Sequence, residues 1–460
     1  MNHASLLSGI ILASIATSAS AQWDPNNGDW LKSDSTDIRI MSWNVQDGIC
    51  SSNDKDDNFG DWNGIVRIIA SLRPDVIILQ ECADNSGNGT GSGVDSIATL
   101  TTVAQLLVQG GNDPFLGGTV GSYIQLFTGT GYDLPYIYAS EGNDGFNRNL
   151  ILSRFPFADI NGGGATYSTF VLQADEYQLG GTGGIRGYQF AEIDLPDNLY
   201  AGDLVVGNGH LKAGGSSSDF SQRARASENI AYLVDYYYNG AGTGISDPNN
   251  KISLPFSGTV LDQYTPVILG GDLNQNPGNG PSEFIARADT FGGTDGTDRD
   301  QSDSTLDLAL HPISGESSTQ GSNSKLDYLI YQDSIATARR SFLFRSSGSG
   351  MTIDKIPEPA RSFPINPFSV SGFSSDHRPV VIDFILPAAI VADCPADLTG
   401  AADGGPDGSL NFLDISMFLQ LFSAGDLAVD FAGNPDGSPD GSLNFLDVSA
   451  YLVTFGQGCP

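Results

Sequence analysis

Six short apolar runs in this chain are each tied to a polar motif, and that pattern constrains the fold more than anything else in it. Met41-Ser42-Trp43-Asn44-Val45 opens the series, followed by Val76-Ile77-Ile78-Leu79-Gln80-Glu81 and Asn208-Gly209-His210-Leu211. Then come Val267-Ile268-Leu269-Gly270-Gly271-Asp272-Leu273-Asn274, Leu326-Asp327-Tyr328-Leu329-Ile330 and Ser374-Ser375-Asp376-His377-Arg378-Pro379. Runs this short, apolar and rich in β-branched residues read as strands. A carboxylate, amide or imidazole at a strand tip costs free energy to desolvate unless something uses it. So many of them in one chain predict a shared site.

The elements between these runs set the architecture. Strands are predicted over Ile38–Val45, Val76–Leu79, Leu204–Val206, Val267–Leu269, Leu326–Tyr331 and Val380–Ile385, and helices over Trp62–Ser71, Asp95–Gln109 and Ser221–Tyr237. Strands alternating with helices give a layered α/β fold. Long Gly/Asn/Ser/Asp loops lie at 84–94, 161–187, 238–257 and 275–304, lengths that tend to be functional or mobile. The Asp295, Asp298, Asp300 and Asp303 stretch reads as a solvated acidic loop.

At 460 residues the chain is long enough for two folded units, and its formal charge is −33. Such an acidic surface argues against tight metal-free binding of nucleic acid, which relies on a basic footprint. It does not exclude an enzyme that meets phosphate through divalent cations. Residues 1–21 read as a secretory signal peptide: an apolar stretch from Leu6 to Ala16 precedes Ala19-Ser20-Ala21, a small-residue cleavage site. No later apolar run is long enough to span a bilayer, so a soluble, secreted product is expected. Residues 22–36 read as a polar leader that does not pack, 37–387 as the main domain, 388–393 as a linker and 394–460 as a second domain. Four cysteines in an exported chain suggest two disulfides, with three connectivities open. Cys50–Cys82 with Cys394–Cys459 is the favoured pair, because each bond then joins residues of one domain.

Oxygen ligands suit hard divalent cations, and Mg²⁺ takes one or two carboxylates while keeping several waters. Glu81 ends a fully apolar run and is the leading ligand by position, with Asn44 suited to orienting water or phosphate. Asp272 and Asn274 lie two apart, so on an extended segment both face one side. His210 and His377 are two of only four histidines. Each suits proton transfer near neutral pH and needs an orienting carboxylate on its other ring nitrogen. Asp327 and Glu141 are the partners at hand, although Asp327 also has Lys325 two residues away as an ion-pair alternative. Arg223 and Arg225, on a predicted helix, read as structural.

Taken in order, these motifs resemble the endonuclease/exonuclease/phosphatase superfamily over roughly residues 37–387. The resemblance implies a four-layer α/β/β/α sandwich and hydrolysis of phosphoesters with Mg²⁺, Mn²⁺ or Ca²⁺. It implies metal-site roles for Asn44, Glu81 and Asp376, and metal or phosphate binding by Asp272 and Asn274. His377 would be the general base polarised by Asp327. His210 would stabilise phosphate or protonate the leaving oxygen, with Glu141 as its partner. Arg148-Asn149 departs from the family pattern, which puts any Arg148 contact in doubt. The implied substrate is nucleic acid, with a sphingomyelinase-like enzyme or small-molecule phosphatase as the alternative. A non-catalytic calcium-binding adhesion or scaffold protein is the reading from a different class.

From Cys394 to Pro460 there are nine Asp and no Lys or Arg, and the segment repeats itself with a period of 33 residues: Pro406–Ser416 returns as Pro439–Ser449. Asp403, Asp407, Asn411 and Asp414 fall at calcium-loop positions one, five, nine and twelve, with Gly408 at the sixth. Asp436, Ser438, Asp440, Asn444 and Asp447 repeat the pattern with Gly441 at the sixth. Each loop leads into a predicted helix. This resembles a dockerin, which implies Ca²⁺ in both loops and a cohesin-like or cell-surface partner. Gly405, at the third position of the first loop, supplies no ligand there, and Asp397 and Asp430 are the substitutes.

Overall fold

The computed structural model describes residues 23–46, 49, 61–83, 94–113, 118–129, 131–143, 147–162, 168–172, 187–238, 261–277, 285, 307, 309–389, 394–400, 406, 409–434 and 437–458. Residues 1–21, read as a signal peptide, Cys50, Cys459, Asp403, Asp407 and Asp436, the acidic 295–303 stretch and most of the predicted long loops lie outside these residues. The chain divides into two compact units, one of residues 1–194 and 204–386, the other of 195–203 and 387–460.

The first unit contains every strand: β1 (Ile38–Asn44), β2 (Val76–Gln80), β3 (Gly110–Asn112), β4 (Thr119–Gly121), β5 (Tyr136–Ala139), β6 (Leu150–Ser153), β7 (Thr169–Leu172), β8 (Tyr188–Ile193), β9 (Leu204–His210), β10 (Val267–Asp272), β11 (Asp327–Tyr331), β12 (Thr337–Leu343) and β13 (Val380–Ile385). One sheet runs β12-β13-β1-β2-β6-β5, another β11-β10-β9-β8-β7, and β3 and β4 form a short ribbon. Among the described strands, only β1/β2 and β9/β10 pair in parallel.

Alternation along the strands separates two faces. Met41, Trp43, Ile77 and Leu79 pack under the helices α1 (Asp61–Leu72) and α2 (Ile97–Val108), through Ile65, Ile69, Val103 and Leu107. On the second sheet Val205, Val267 and Leu269 pack under Ala226, Ile230 and Leu233 of a 17-residue helix, Ser217–Leu233. The opposite faces meet. A Cβ built on Gly270 would lie 2.4 Å from Ile78 Cδ1, so the two sheets are in direct contact there. The order is helix, sheet, sheet, helix, as the α/β reading expected.

The predicted helix over Ser221–Tyr237 starts earlier. Ser216 caps it, taking the Asp219 N–H while the Asp219 carboxylate takes the Ser216 N–H, a reciprocal pair that satisfies two orphan donors. Its last turn is a π-helix, Val234–Tyr238. β9 runs four residues past the predicted Val206 to His210, through two glycines that sequence propensity discounts.

The segment read as a non-packing leader is part of the first unit. Trp30 is fully buried, its Nε1–H donates to Lys355 O at 2.8 Å, and Trp23 lies against Phe342 with ring centroids 4.7 Å apart. Arg39, also fully buried, explains why: it forks onto Asp383 and donates through Nη1 to Trp30 O at 2.7 Å and Leu72 O at 2.6 Å. The guanidinium has too many donors for one carboxylate, and the 23–37 segment supplies an acceptor. Asp383→Ala would leave that charge buried and unpaired. A loss of about 3–5 kcal/mol is expected, read as a lowered midpoint in urea unfolding of the intact chain.

In the second unit the period of 33 returns in space. The helices Phe412–Ala424 and Phe445–Gln457 carry equivalent capping boxes, and isolated bridges join Gly400 to Pro406 and Gly433 to Pro439. Phe418 and Tyr451, also 33 apart, stack at 4.0 Å with 12° between planes. Asp414 and Asp447, read as twelfth-position calcium ligands, are fully buried and each accepts three backbone N–H bonds. Asn411, Leu398 and Thr399 donate to Asp414, and Asn444, Phe431 and Ala432 to Asp447. Each carboxylate thus closes the capping box of its own helix and pins two backbone N–H groups of the segment upstream, a use the loop spacing alone did not reveal. Asn411 and Asn444 are the helix N-caps, Ser438 Oγ takes a bond from Asn434, and Asp440 accepts from Ser442 N. Cys394 is disulfide-bonded, whereas Cys82, read as one half of a Cys50–Cys82 bond, is a buried thiol. Residues 195–203 join this unit through Tyr200 opposite Ala388, a placement with no local signal in the sequence. Among the described residues, no helix is long and apolar enough to cross a membrane.

Candidate active site

Topology explains how polar residues from six motifs meet. The parallel strands β1, β2, β9 and β10 end at one edge of the sandwich, bringing Asn44, Glu81, His210 and Asp272 there. β11 and β13 run antiparallel to β10 and β1, so they begin at that edge. Asp327 is the first residue of β11, and Asp376-His377 lies just before β13. These two motifs therefore precede their strands, where the sequence pattern alone suggested tips. The register places Asp272 between His210 and Asp327.

Glycine makes this registration sterically accessible. A Cβ on Gly271, at φ +136°, would sit 1.8 Å from Gly209 O, and one on Gly209 would sit 2.2 Å from the Tyr188 ring. A side chain at Gly271 would push β9 and β10 apart beside His210 and Asp272, and one at Gly209 would displace the Tyr188 ring of β8.

Asn44 bridges the sheets, its Nδ2 donating to Asp272 Oδ2 at 3.0 Å. The other Asp272 oxygen accepts the Asn274 N–H at 2.8 Å, while the Asn274 side chain donates to Leu211 O at 3.1 Å. His210 Nε2 lies 3.5 Å from both Glu81 Oε1 and Asp272 Oδ2. His377 Nδ1 is 2.8 Å from Asp327 Oδ2, and its Nε2 faces Asp272 Oδ2 at 3.8 Å and Asp376 Oδ1 at 3.9 Å. Asp327 and His377 thus form the expected dyad. The alternative pairing of Asp327 with Lys325 is replaced: the Lys325 ammonium binds Asp307 at 2.6 Å and touches Asp327 only at its carbonyl.

Glu141 is where the sequence reading and the structure part. It is exposed and accepts the Tyr138 hydroxyl at 2.8 Å. The carboxylates beside His210 are Glu81 and Asp272, because strand ends from two sheets converge on that ring while Glu141 sits beyond β5. Arg148 donates to Asp95, Ser140 and Glu141 carbonyls, and Arg223 to Gln275 Oε1 and the Lys212 and Gly214 carbonyls. Both hold loops.

Supporting residues passed unnoticed in the sequence. Gln46 Oε1 accepts the Asp376 N–H at 3.0 Å, and Gln320 Nε2 donates to Asp376 Oδ2 at 3.2 Å. Thr319 Oγ1 takes the N–H of Leu326 and Asp327. Ser375 Oγ donates to Asn44 O at 2.7 Å and accepts the His377 N–H at 2.9 Å. Asn208 cross-links the sheets through Gln80, Leu79 O and Leu150 O. One signal of the site is steric: Gln46, Glu81 and Asn274 have φ values of +46°, +56° and +53°. Such backbone costs roughly 1–3 kcal/mol per residue and gathers at functional sites.

The charges are unbalanced toward the negative. Burial, then the Asp327 charge, push Asp272 up to about 7. Burial works against protonation of His377, but the charge and hydrogen bond of Asp327, then Asp272 and Asp376, outweigh it and raise the ring to about 10. Asp327 Oδ1 is buried with no hydrogen-bond partner. Asp272, Asp327 and His377 bring ligand atoms within 4.8 Å of one another. With His377 Nδ1 engaged by Asp327, that trio is better described as an acid–base pair beside a carboxylate. The expected ligands Glu81 and Asp376 lie outside that group, although they and the Asn44 amide carry oxygens at the same strand edge as Asp272. An all-oxygen set with excess negative charge fits a hard divalent cation.

No protein-family model matches this sequence, and no curated protein does either. Among solved structures the chain is similar to an endonuclease/exonuclease/phosphatase from Beutenbergia cavernae DSM 12333, at 18% identity and TM-score 0.39 over 76% of this chain and 72% of that one. It is also similar to D. rerio TDP2 complexed with single strand DNA product, at 13% identity and TM-score 0.40 over 76% and 100%. Sphingomyelinase C from Streptomyces griseocarneus matches at 13% identity and TM-score 0.39 over 75% and 99%. At identities and TM-scores this low, nothing about the chemistry of this chain follows from them.

Proposed function

We propose that the chain is an exported, divalent-metal-dependent phosphodiesterase acting on nucleic acid. The observation that supports it most is the Asp327–His377 pair facing Asp272, with His210 Nε2 beside the same Asp272 oxygen. Two imidazoles beside one carboxylate oxygen supply the proton acceptor and the proton donor that phosphodiester hydrolysis uses.

In this reading Glu81, Asp272, Asp376 and Asn44 hold the cation. When bound, it offsets phosphate charge and makes water more acidic. His377 Nε2 accepts the proton of the attacking water as its oxygen bonds to phosphorus. Asp327 fixes the ring's tautomer through Nδ1 and stabilises the imidazolium that forms. His210 gives a proton to the leaving oxygen as the P–O bond breaks. Asn274, whose N–H and side chain already hold the 272–274 turn, steadies Asp272. The second unit would bind Ca²⁺ through its loop carboxylates and attach the enzyme to a surface or a cohesin-like partner.

A lipid phosphodiesterase is the second reading, supported by Ile365, Phe368 and Phe373, which are 48%, 37% and 40% exposed on the segment leading to Asp376. The test is the purified chain with plasmid DNA or sphingomyelin vesicles, in Mg²⁺, Mn²⁺, Ca²⁺ or chelator. Nicking of DNA that chelator abolishes is the expected result. Choline-phosphate release without nicking would move the enzyme to the lipid reading, and inactivity on both and on a phosphoester panel would refute hydrolysis.

A further inference from the structure

A cavity of about 360 Å³ opens beside Asp376, lined by Gln320, Arg345, Ser347, Ser375, Asp376 and Arg378 among others. Its chemistry runs against the rest of the molecule. The chain has 21 basic residues against 54 acidic ones, yet two arginines share this wall.

Neither guanidinium is used up by its neighbours. Arg378 is clamped through its terminal nitrogens to Ser318 and to Gly321 O, which fixes the plane of the group. Arg345 donates through Nε to Ser347 Oγ at 3.2 Å and through Nη1 to Glu316. Among the described residues, Arg345 Nη2 and Arg378 Nε make no hydrogen bond. Glu316 offsets one positive charge, and the Asp376 carboxylate on the cavity rim is the one assigned above to the cation. Forked guanidinium donors suit phosphate oxygens in particular.

The geometry points to a second phosphate subsite in this cavity, which seats the phosphate next to the scissile one in a nucleic-acid strand. The shared Asp376 makes the cavity continuous with the reaction centre, so a strand can lie across both. The subsite rests on the phosphodiesterase reading and narrows it: a substrate with a single phosphate has nothing to place there. Arg378 acts as the rigid floor, and Arg345 supplies the adjustable charge.

The test compares the wild-type chain with Arg345→Gln and Arg345→Lys on a short fluorescein-labelled single DNA strand and on bis(p-nitrophenyl) phosphate. In Arg345→Gln the ratio of kcat/KM for DNA to that for the small diester is expected to fall about tenfold, through KM, consistent with loss of one charged contact. The slope of log KM for DNA against log salt should become shallower by about one unit. Arg345→Lys should recover part of both. Equal losses on the two substrates would show a structural role and overturn the subsite, as would no change in the ratio. Should the wild type cleave neither substrate, the phosphodiesterase reading falls. Anisotropy of the same labelled strand then decides the subsite, with weaker binding by Arg345→Gln supporting it and equal binding overturning it.

Discussion

His377→Ala is expected to lower phosphodiester turnover by about 10²–10⁴-fold, the usual contribution of a positioned proton-transfer group. The loss should fall on kcat, because the imidazole acts on the attacking water rather than on bound substrate. The fold should survive. The ring sits at the edge of the sandwich, and Trp43 is held by the His377 carbonyl, which alanine keeps. Asp327→Asn separates positioning from proton transfer. An amide in place of the carboxylate can turn either its oxygen or its NH₂ toward Nδ1, so the tautomer is no longer fixed and the imidazolium loses its counter-charge. Turnover should fall by a similar order, with the pH optimum moved as well. An unchanged kcat in His377→Ala, in protein whose circular dichroism matches the wild type, would remove His377 as the base and with it the proposed mechanism.

Cation binding should be strongly linked to pH, and Asp272→Asn should break that link. The folded metal-free protein binds more protons than the unfolded chain, because Asp272 titrates near 7 rather than 3.8 and His377 near 10 rather than 6.5. The stability that protonated His377 contributes is complete below about 6.5 and lost as pH rises through about 10. For Asp272 the raised value means ionisation opposes folding, so stability falls as pH climbs from about 4 to about 7. Both groups therefore make metal-free stability decline with rising pH. A cation that neutralises the carboxylates reverses this and expels the protons, so its affinity should rise up to about tenfold per pH unit below 7 for each proton released. Calorimetric titration with Mg²⁺ in buffers of different ionisation enthalpy reads the proton count. Thermal unfolding gives the second readout. Asp272→Asn should be more stable than wild type at pH 8 without metal, yet gain little when Mg²⁺ is added. A wild type whose Tm and proton balance ignore every divalent cation would refute the metal site.

Much of this site is legible along the chain, and the reasons are local. A strand buried on both faces must be apolar, so Asn44, Glu81 and Asp272 stand out against their own runs. Helices α1 and α2 were found within two residues of their ends because their apolar spacing is dense. The requirement that a working imidazole be oriented points to Asp327 and Glu141 as partners, the resemblance pairs Asp327 with His377, and the contact between them is 2.8 Å. Where reading failed, the missing information was spatial. Glu141 was assigned to His210 by its place in a resembling motif, but which carboxylate reaches a ring depends on how two sheets are stacked. Gln46, Thr319 and Gln320 carry no motif at all. Their roles exist only because separate loops arrive at Asp327 and Asp376 together.

By itself the sequence determined the polar residues that end the apolar runs, the strand-and-helix alternation, and the 33-residue repeat of the second unit. These are consequences of burial and periodicity, which act over a few residues and leave their imprint in order. Tertiary structure alone decided three other things. It placed His210, Asp272 and Asp327 side by side on β9, β10 and β11, since strand order within a sheet is not written in chain order. It drew residues 23–37 into the first unit, because the buried Arg39 needs the Trp30 carbonyl in addition to Asp383. It turned Asp414 and Asp447 inward, because each carboxylate takes the N–H of its helix N-cap and two further N–H groups from a segment 15 and 16 residues upstream.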